Sequence, residues 1–467
     1  CIRDSIYKGI LHMINKRTFL TMLAKIGLPI VLQQVISLSL NMIDTFMIGS
    51  VGVSELAAVG AANKIYFIFS TICFGLYSGA SIFISQYWGV KNVKQIQKVV
   101  AIEMWIGFFL SIFTVFIAFT FAPQILSLFV REASTISIGA SYLRITCFTY
   151  ILTAFSFLMS FNSRAIHNLK IPTISSVLAI SINTVLNYGL IFGNFGFPVL
   201  GVKGAAIATL TARIVELIFI MSYVYKSKDH PLAANLSTIF HLDKQLCKRV
   251  IKTALPVAAS ESAWSIGTTG LFVAYGLLGT SAVAVVQVAG VINDLFQCIF
   301  FGLGNACAVM IGNELGRNNK DLAFAYGKVF IWINLAFCIV MSLILYTSRI
   351  AISNIYQYDA QTTALLQSTI AAFALYNTPK MMSYVLICGI LRSGGDTRFC
   401  MYCDVLGIWC IANPLAFLAA GVWHLSLPLV VALSFSDEIV KAIITYLRFR
   451  SKKWIHVLIH ANEIPAS

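Results

Sequence analysis

The stretch LPIVLQQVISLSLNMIDTFMIGSVG, residues 28–52, places one carboxylate in an otherwise apolar segment. Asp44 is the only formally charged residue between Ile26 and Ile48. About 20 mainly apolar residues span a bilayer as a helix, and an Asp deep in such a helix costs about 2.5–3.5 kcal/mol on insertion scales. An acid in this position usually faces a protein interior or a water-filled cavity, so we expect Asp44 to bind something there.

The composition extends this interpretation to the whole chain. Of the 467 residues, 58% are hydrophobic and 11% are charged, against about 25% charged in a typical soluble protein. The apolar runs are continuous and do not alternate, which excludes a transmembrane barrel. The net charge of +15 comes from basic residues in short loops. We therefore interpret it as a sign of how the chain is oriented in the membrane. We expect an all-α polytopic membrane protein in a lipid bilayer, with no nucleic-acid partner.

The apolar segments predict twelve transmembrane helices in two six-helix lobes related by a pseudo-twofold axis. The predicted parts are an N-terminal lobe at 1–225, a basic cytoplasmic linker at 226–252, a C-terminal lobe at 253–447 and a basic tail at 448–467. The segments lie near 26–49, 56–87, 98–121, 138–162, 172–193, 203–225, 253–277, 283–315, 324–346, 365–391, 399–420 and 427–447.

Lysine and arginine are concentrated in alternate loops. The positive-inside rule therefore predicts that both termini and the linker lie in the cytoplasm of a multi-pass protein of the plasma (inner) membrane. The chain begins at Cys1, which we interpret as a trimmed or incomplete start. The basic loops carry Lys91, Lys94, Lys98, Arg164, Lys170, Arg317, Lys320, Arg392 and Arg398.

An internal repeat relates the two halves of the chain. A shift of 227 residues aligns the halves without a gap over some sixty residues, and a shift of 228 aligns the later segments. Two six-helix units in the same orientation are a recurrent plan of transporters, which bind substrates near the bilayer midplane. The aligned pairs include Pro29 with Pro256, Gly49 with Gly276, Gly89 with Gly316, Arg164 with Arg392 and Arg213 with Lys441.

The first repeat contains a set of oxygen donors that could hold a coupling ion. Asn183 and Asn187 are four residues apart and share a helix face, and Thr209 lies near the start of the sixth predicted helix. With Asp44 they offer the hard oxygen ligands that suit Na⁺. A buried carboxyl group also holds a proton readily. The alternative is that Asn183, Asn187 and Thr209 only bond between helices.

The second repeat lacks the counterpart of Asp44, where Leu271 stands. Glu261 is an intramembrane acid in its first helix, and we expect it to function or to pair with Lys380 of the tenth predicted helix. Asp404 and Asp437 are further candidates, and Asp437 aligns with Thr209.

No Walker A, HExxH or nucleophile motif is present in the sequence. We therefore expect neither an enzyme nor an ATP-driven pump. We expect no cofactor apart from the coupling ion, Na⁺ or H⁺.

The ordered motifs resemble the multidrug and toxic compound extrusion (MATE) family over nearly the whole chain. The resemblance implies that small organic, often cationic, compounds are exported by antiport with Na⁺ or H⁺ through alternating access. The motifs are the run from Pro29 to Gly52 followed by ELAAVG, the Asn183 and Asn187 pair, GAAIAT ending at Thr209, the helix ends before Gly89 and Gly316, and LRSGGDTR.

Carried over to this chain, the resemblance gives Asp44 the role of the essential first-lobe acid, with Asn183, Asn187 and Thr209 as its companions. Glu261 matches the second-lobe acid of the NorM-like branch. That branch has an Asp partner in the tenth helix, where this chain has Met381. The pattern is closer to the MepA-type branch, which implies that coupling rests on Asp44.

Two other functions are weighed against export. A flippase for lipid-linked saccharides, from the same superfamily, needs cationic residues in its cavity, whereas the buried charges here are mainly acidic. A channel or membrane enzyme would need a filter or a catalytic constellation. We expect a monomeric exporter of small molecules.

Overall fold

A computed structural model describes residues 16–130, 132–227, 230–355, 358–459 and 463. Cys1, the predicted start, lies outside these ranges, as does much of the end of the predicted tail. The described residues form helices and turns and contain no strand. Continuous apolar segments satisfy their backbone hydrogen bonds internally as helices, the solution that a bilayer demands.

Long helices with short connections make up the first half of the chain. α2 has 37 residues, roughly 55 Å at 1.5 Å per residue, so it extends beyond a hydrocarbon core of about 30 Å. The helices are α1 (Lys16–Gly49), α2 (Val53–Gly89), α3 (Val93–Thr120), α4 (Ala122–Leu126), α5 (Ala133–Thr146), α6 (Thr149–Ala165), α7 (Lys170–Phe192) and α8 (Val202–Lys226).

The second half is more interrupted, because π-helical segments at Val385–Leu391 and Gly407–Ala412 separate its later helices. The helices are α9 (Leu236–Phe240), α10 (Lys244–Gly276), α11 (Thr280–Gly316), α12 (Lys320–Ser353), α13 (Ala360–Tyr384), α14 (Thr397–Leu406), α15 (Asn413–Gly421), α16 (Leu427–Ser434) and α17 (Ser436–Arg450).

Each of the twelve predicted segments contains helix, which confirms an all-α polytopic membrane protein. By length and composition, eight helices of the described chain can cross a membrane, or nine if α5 and α6, bent by 49°, form one span. α16 and α17 are each shorter than a bilayer requires. The predicted linker is not wholly loop, since it contains α9 and the first turns of α10.

The backbone repeats along with the sequence. Non-glycine residues with positive φ are unusual, yet they occur at repeat-equivalent turns after corresponding helices. Lys91 and Asn318 have φ values of 58° and 61°. The other equivalent pairs with positive φ are His167 with Gly395 and Gly196 with His424.

The helices form two compact units. One contains the described residues of Leu32–Ile84 and Asn92–Ala254. The other contains the described residues of Cys1–Val31, Ser85–Lys91 and Leu255–Ser467. Its apolar core joins α10, α11, α13, α15 and α16 and includes Leu271, the residue that replaces Asp44 in the repeat.

The end of α2 crosses α11 within this second unit at two glycines. A methyl group at Gly316 would overlap the carbonyl oxygen of Gln86, and one at Gly89 would overlap that of Asn313. The 227-residue shift exchanges these two contacts. Glycine is required at both positions because the backbones touch.

We predict that Gly316→Ala lowers stability, because the added methyl forces the two backbones apart at a cost of about 1–3 kcal/mol. The measurement is the thermal unfolding midpoint of the purified protein in detergent. Gly290→Ala in the same helix is the control, since a methyl there meets nothing within 4 Å. An equal midpoint for Gly316→Ala and wild type would contradict the close contact.

Candidate functional site

Small residues bring α7 and α8 together. A Cβ at Gly204 would overlap the carbonyl oxygen of Leu190 on α7. Ala205, Ala206 and Ala208 are buried along the same part of α8. Small side chains let membrane helices approach closely, and this approach places Thr209 of α8 beside Asn183 of α7.

The four predicted residues Asp44, Asn183, Asn187 and Thr209 form one cluster, which we call the first-repeat site. Asn187 Nδ2 donates to Asp44 Oδ1 at 2.8 Å. In the amide orientation that satisfies its neighbours, Asn183 Nδ2 lies 3.1 and 2.9 Å from the two Asp44 carboxylate oxygens, and Asn183 Oδ1 accepts from the Thr209 N–H at 3.2 Å. The structure therefore brings the four predicted residues into contact.

One acceptor at this site lacks a partner. Asn187 is 1% exposed, and its Oδ1 has no hydrogen-bond donor in the described chain. A buried acceptor without a donor costs about 1–3 kcal/mol. With the Asp44 carboxylate beside it, the site has the oxygen donors that a hard cation or a proton-bearing group would satisfy.

A second set of polar residues flanks the site, and the sequence interpretation did not single it out. Arg213 donates to Glu216 at 2.7 Å and to the Tyr66 hydroxyl at 3.2 Å, and its charge acts on Asp44. Tyr142 is buried close to Thr209. The available signal was the pair of charges in RIVE, three residues apart in an apolar helix.

The second repeat holds a different arrangement around Arg392, a 4% exposed side chain. Its guanidinium lies 2.6 Å from Glu261 and 3.3 Å from Asp404. Ser260 also donates to Asp404 at 2.5 Å. We call Glu261, Arg392 and Asp404 the second-repeat cluster. The partner of Glu261 is Arg392, which directly follows the π-helical segment, and not Lys380 as expected.

Asp437 belongs to a separate ion-pair group on α17. The Lys441 ammonium lies 3.0 Å from Asp437 and 2.8 Å from Glu438, and Ser383 hydrogen-bonds to Glu438. Lys380 stands over the Phe435 ring, 5.3 Å from its centroid. Within the described chain, neither Asp437 nor Lys380 forms an ion pair with Glu261 or Asp404.

Comparison with known proteins identifies the family. The MatE family model matches residues 29–189 and 256–418, and the two matches begin at the prolines that the repeat aligns. The chain is 25% identical over 438 residues to "Uncharacterized transporter YisQ" of Bacillus subtilis, covering 91% of this chain and 93% of that one. It is 24% identical over 462 residues to "Probable multidrug resistance protein NorM" of Thermotoga maritima, covering 97% of each.

Solved structures show the same fold. One is described as an outward-facing conformation of a multidrug resistance MATE family transporter of the MOP superfamily. It superposes with a TM-score of 0.84 at 18% identity, over 92% of this chain and 95% of that one. The family model covers more than half of the sequence in two repeats, so this chain belongs to the MatE family of multidrug and toxic compound extrusion transporters.

Proposed function

We propose that the protein is a secondary active exporter of small organic, often cationic, compounds, coupled to Na⁺ or H⁺ by alternating access. The observation that carries the proposal is the first-repeat site, where an intramembrane carboxylate accepts from two amides, one of which also contacts Thr209. One buried amide oxygen there has no donor within the described part of the chain. The names of relatives such as "Probable multidrug resistance protein NorM" support the substrate class.

The chemistry of the site supports coupling to one cation. Asp44 comes from α1, whereas its amide partners come from α7. Binding Na⁺ or a proton neutralises the carboxylate and changes the hydrogen bonds that join these helices. A ligand shifts a conformational equilibrium only through such a difference in binding between two states, so the bond between Asp44 and α7 is the element that the ion controls.

The surroundings of the buried cations favour export over the flippase. Lys380 is an exception and stands over the Phe435 ring. Arg213, Lys441 and Arg392 each have a carboxylate within salt-bridge distance. They are therefore engaged by the protein's own acids, whereas pyrophosphate binding needs cations available to the ligand.

We further propose that the protein is a monomer in the plasma membrane with both termini in the cytoplasm.

Asp44→Asn is expected to abolish coupled export, because the amide keeps the shape of the side chain but removes the charge and the proton-binding group. The measurement is ethidium efflux from proteoliposomes with either a Na⁺ gradient or a proton gradient imposed. Wild-type efflux under one gradient names the coupling ion.

Asp321→Asn is the matched control, since it removes an acid whose side chain is 83% exposed. It should export like wild type, and both variants should insert in equal amounts. Coupled efflux by Asp44→Asn at the wild-type rate would exclude the first-repeat site. Silence of wild type under both gradients, for several cationic dyes, would favour the flippase.

We propose that the second-repeat cluster holds helices together and that Asp44 alone carries the coupling. The Arg392 guanidinium joins Glu261 of α10 to Asp404 of α14. Two acids share one cation in a buried position, so Arg392 is needed to keep both charges paired.

Arg392→Gln should lower stability by about 3–5 kcal/mol, because it leaves two buried carboxylates without a cation. The thermal midpoint in detergent measures this effect. Arg398→Gln, at an exposed residue close by, should leave the midpoint unchanged. Adding Glu261→Gln and Asp404→Asn to Arg392→Gln should restore part of the loss. A normal midpoint with lost transport would instead assign the cluster to transport.

A further inference from the structure

A groove of 860 Å³ lies beside the start of α10, away from the first-repeat site. Three lysines, Lys244, Lys248 and Lys252, line one part of it, and Trp105, Phe240 and Ile251 line another. All six belong to one compact unit. The groove therefore combines positive charge with apolar surface.

The lysines form a row along α10. They are four residues apart, so they share one face of the helix and are spaced by about 6 Å along its axis. All three are exposed.

The adjacent acid, Asp243, is already engaged. Its carboxylate accepts hydrogen bonds from the backbone N–H groups of Leu246 and Gln245, which hold the pKa of Asp243 below its usual range. It also pairs with Lys98 at 3.8 Å. No described acid forms an ion pair with the three lysines, so their positive charge is available to a ligand.

The apolar part of the groove is an aromatic group at the surface. Trp105 stacks on Phe109, with ring centroids 5.5 Å apart, and contacts Phe240 edge-on at 6.1 Å. Its indole N–H donates to the Ile239 carbonyl oxygen at 2.8 Å, which holds α9 against α3. Phe109 and Phe240 are 63% and 68% exposed. Tryptophan with exposed aromatic neighbours is typical of a membrane interface.

We propose that this groove binds an anionic phospholipid of the cytoplasmic leaflet. Its phosphate lies on the lysine row, and an acyl chain lies along Trp105, Phe109 and Phe240. Basic pockets on the cytoplasmic side of membrane proteins bind such headgroups. A soluble anion would use the lysines but would leave the exposed aromatic surface uncovered, so the two parts together favour a lipid.

The groove lies at the connection between the two sequence repeats, so a lipid bound there would act on this connection. α9 and the first turns of α10 lie in the connection between the two sequence repeats. A lipid that touches Phe240 and the α10 lysines at once fixes this connection to the membrane surface.

The test measures binding of cardiolipin, phosphatidylglycerol and phosphatidylcholine to the delipidated full-length protein by native mass spectrometry. The variant carries Lys244→Gln, Lys248→Gln and Lys252→Gln. The control carries Lys94→Gln, Lys170→Gln and Lys320→Gln, three other exposed lysines of the basic loops. Hydrogen exchange of residues 236–252 with and without lipid locates the bound molecule.

Each lysine near a membrane surface contributes about fivefold, so the α10 variant should bind anionic lipid about a hundredfold more weakly. The control should bind like wild type, and anionic lipid should protect residues 236–252 in wild type and in the control but not in the α10 variant. Three results would overturn the proposal: equal loss in both variants, equal binding of phosphatidylcholine, or displacement of the lipid by inorganic phosphate at the same concentration.

Discussion

A charge inside the hydrocarbon core needs a partner from the protein itself, because no water is available to solvate it. This constraint organises both repeats. Arg213 pairs with Glu216, and Arg392 pairs with Glu261 and Asp404. Asp44 differs from these acids, because its near partners are neutral amides. A carboxylate held by amides keeps its capacity for a cation, which supports the coupling role proposed for Asp44. Glu103 of α3 is likewise buried and accepts from an amide, that of Asn162.

The two repeats use equivalent positions for different chemistry. In the first repeat, Arg164 of α6 reaches polar residues of α1, and α1 contacts α7. In the second repeat, Arg392, which follows the π-helical segment after α13, reaches polar residues of α10, and α10 contacts α14. In the first repeat this network is mostly neutral: Arg164 donates to Gln33 at 3.5 Å, and Gln33 donates to Ser176 at 2.8 Å. In the second repeat acids replace some neutral groups and turn the network into an ion-pair cluster. The equivalent pairs are Arg164 with Arg392, Gln33 with Ser260, Gln34 with Glu261, and Ser176 with Asp404.

Much of the fold followed from hydrophobic periodicity and the repeat. The apolar runs predict the twelve helical segments because a bilayer allows little else than helices. Hydrophobic periodicity did not predict the bend between α5 and α6 or the two π-helical segments. Gly389 and Gly407 lie in the π-helical segments, but single glycines are common in membrane helices and do not mark a break. The sequence analysis placed the start of this helix near residue 253, whereas α10 begins at Lys244. Its first residues are basic, and they were therefore assigned to the linker.

The sequence by itself determined the membrane class, the repeat and the residues of the first-repeat site. These features depend on local hydrophobicity, on spacing along one helix, and on the cost of placing Asp44 in an apolar segment. Only the tertiary structure decided which charges meet. Lys380 and Arg392 were both candidates to pair with Glu261, and the packing of the helices selected the arginine. Pairing depends on contacts between distant segments, which spacing along the chain does not encode.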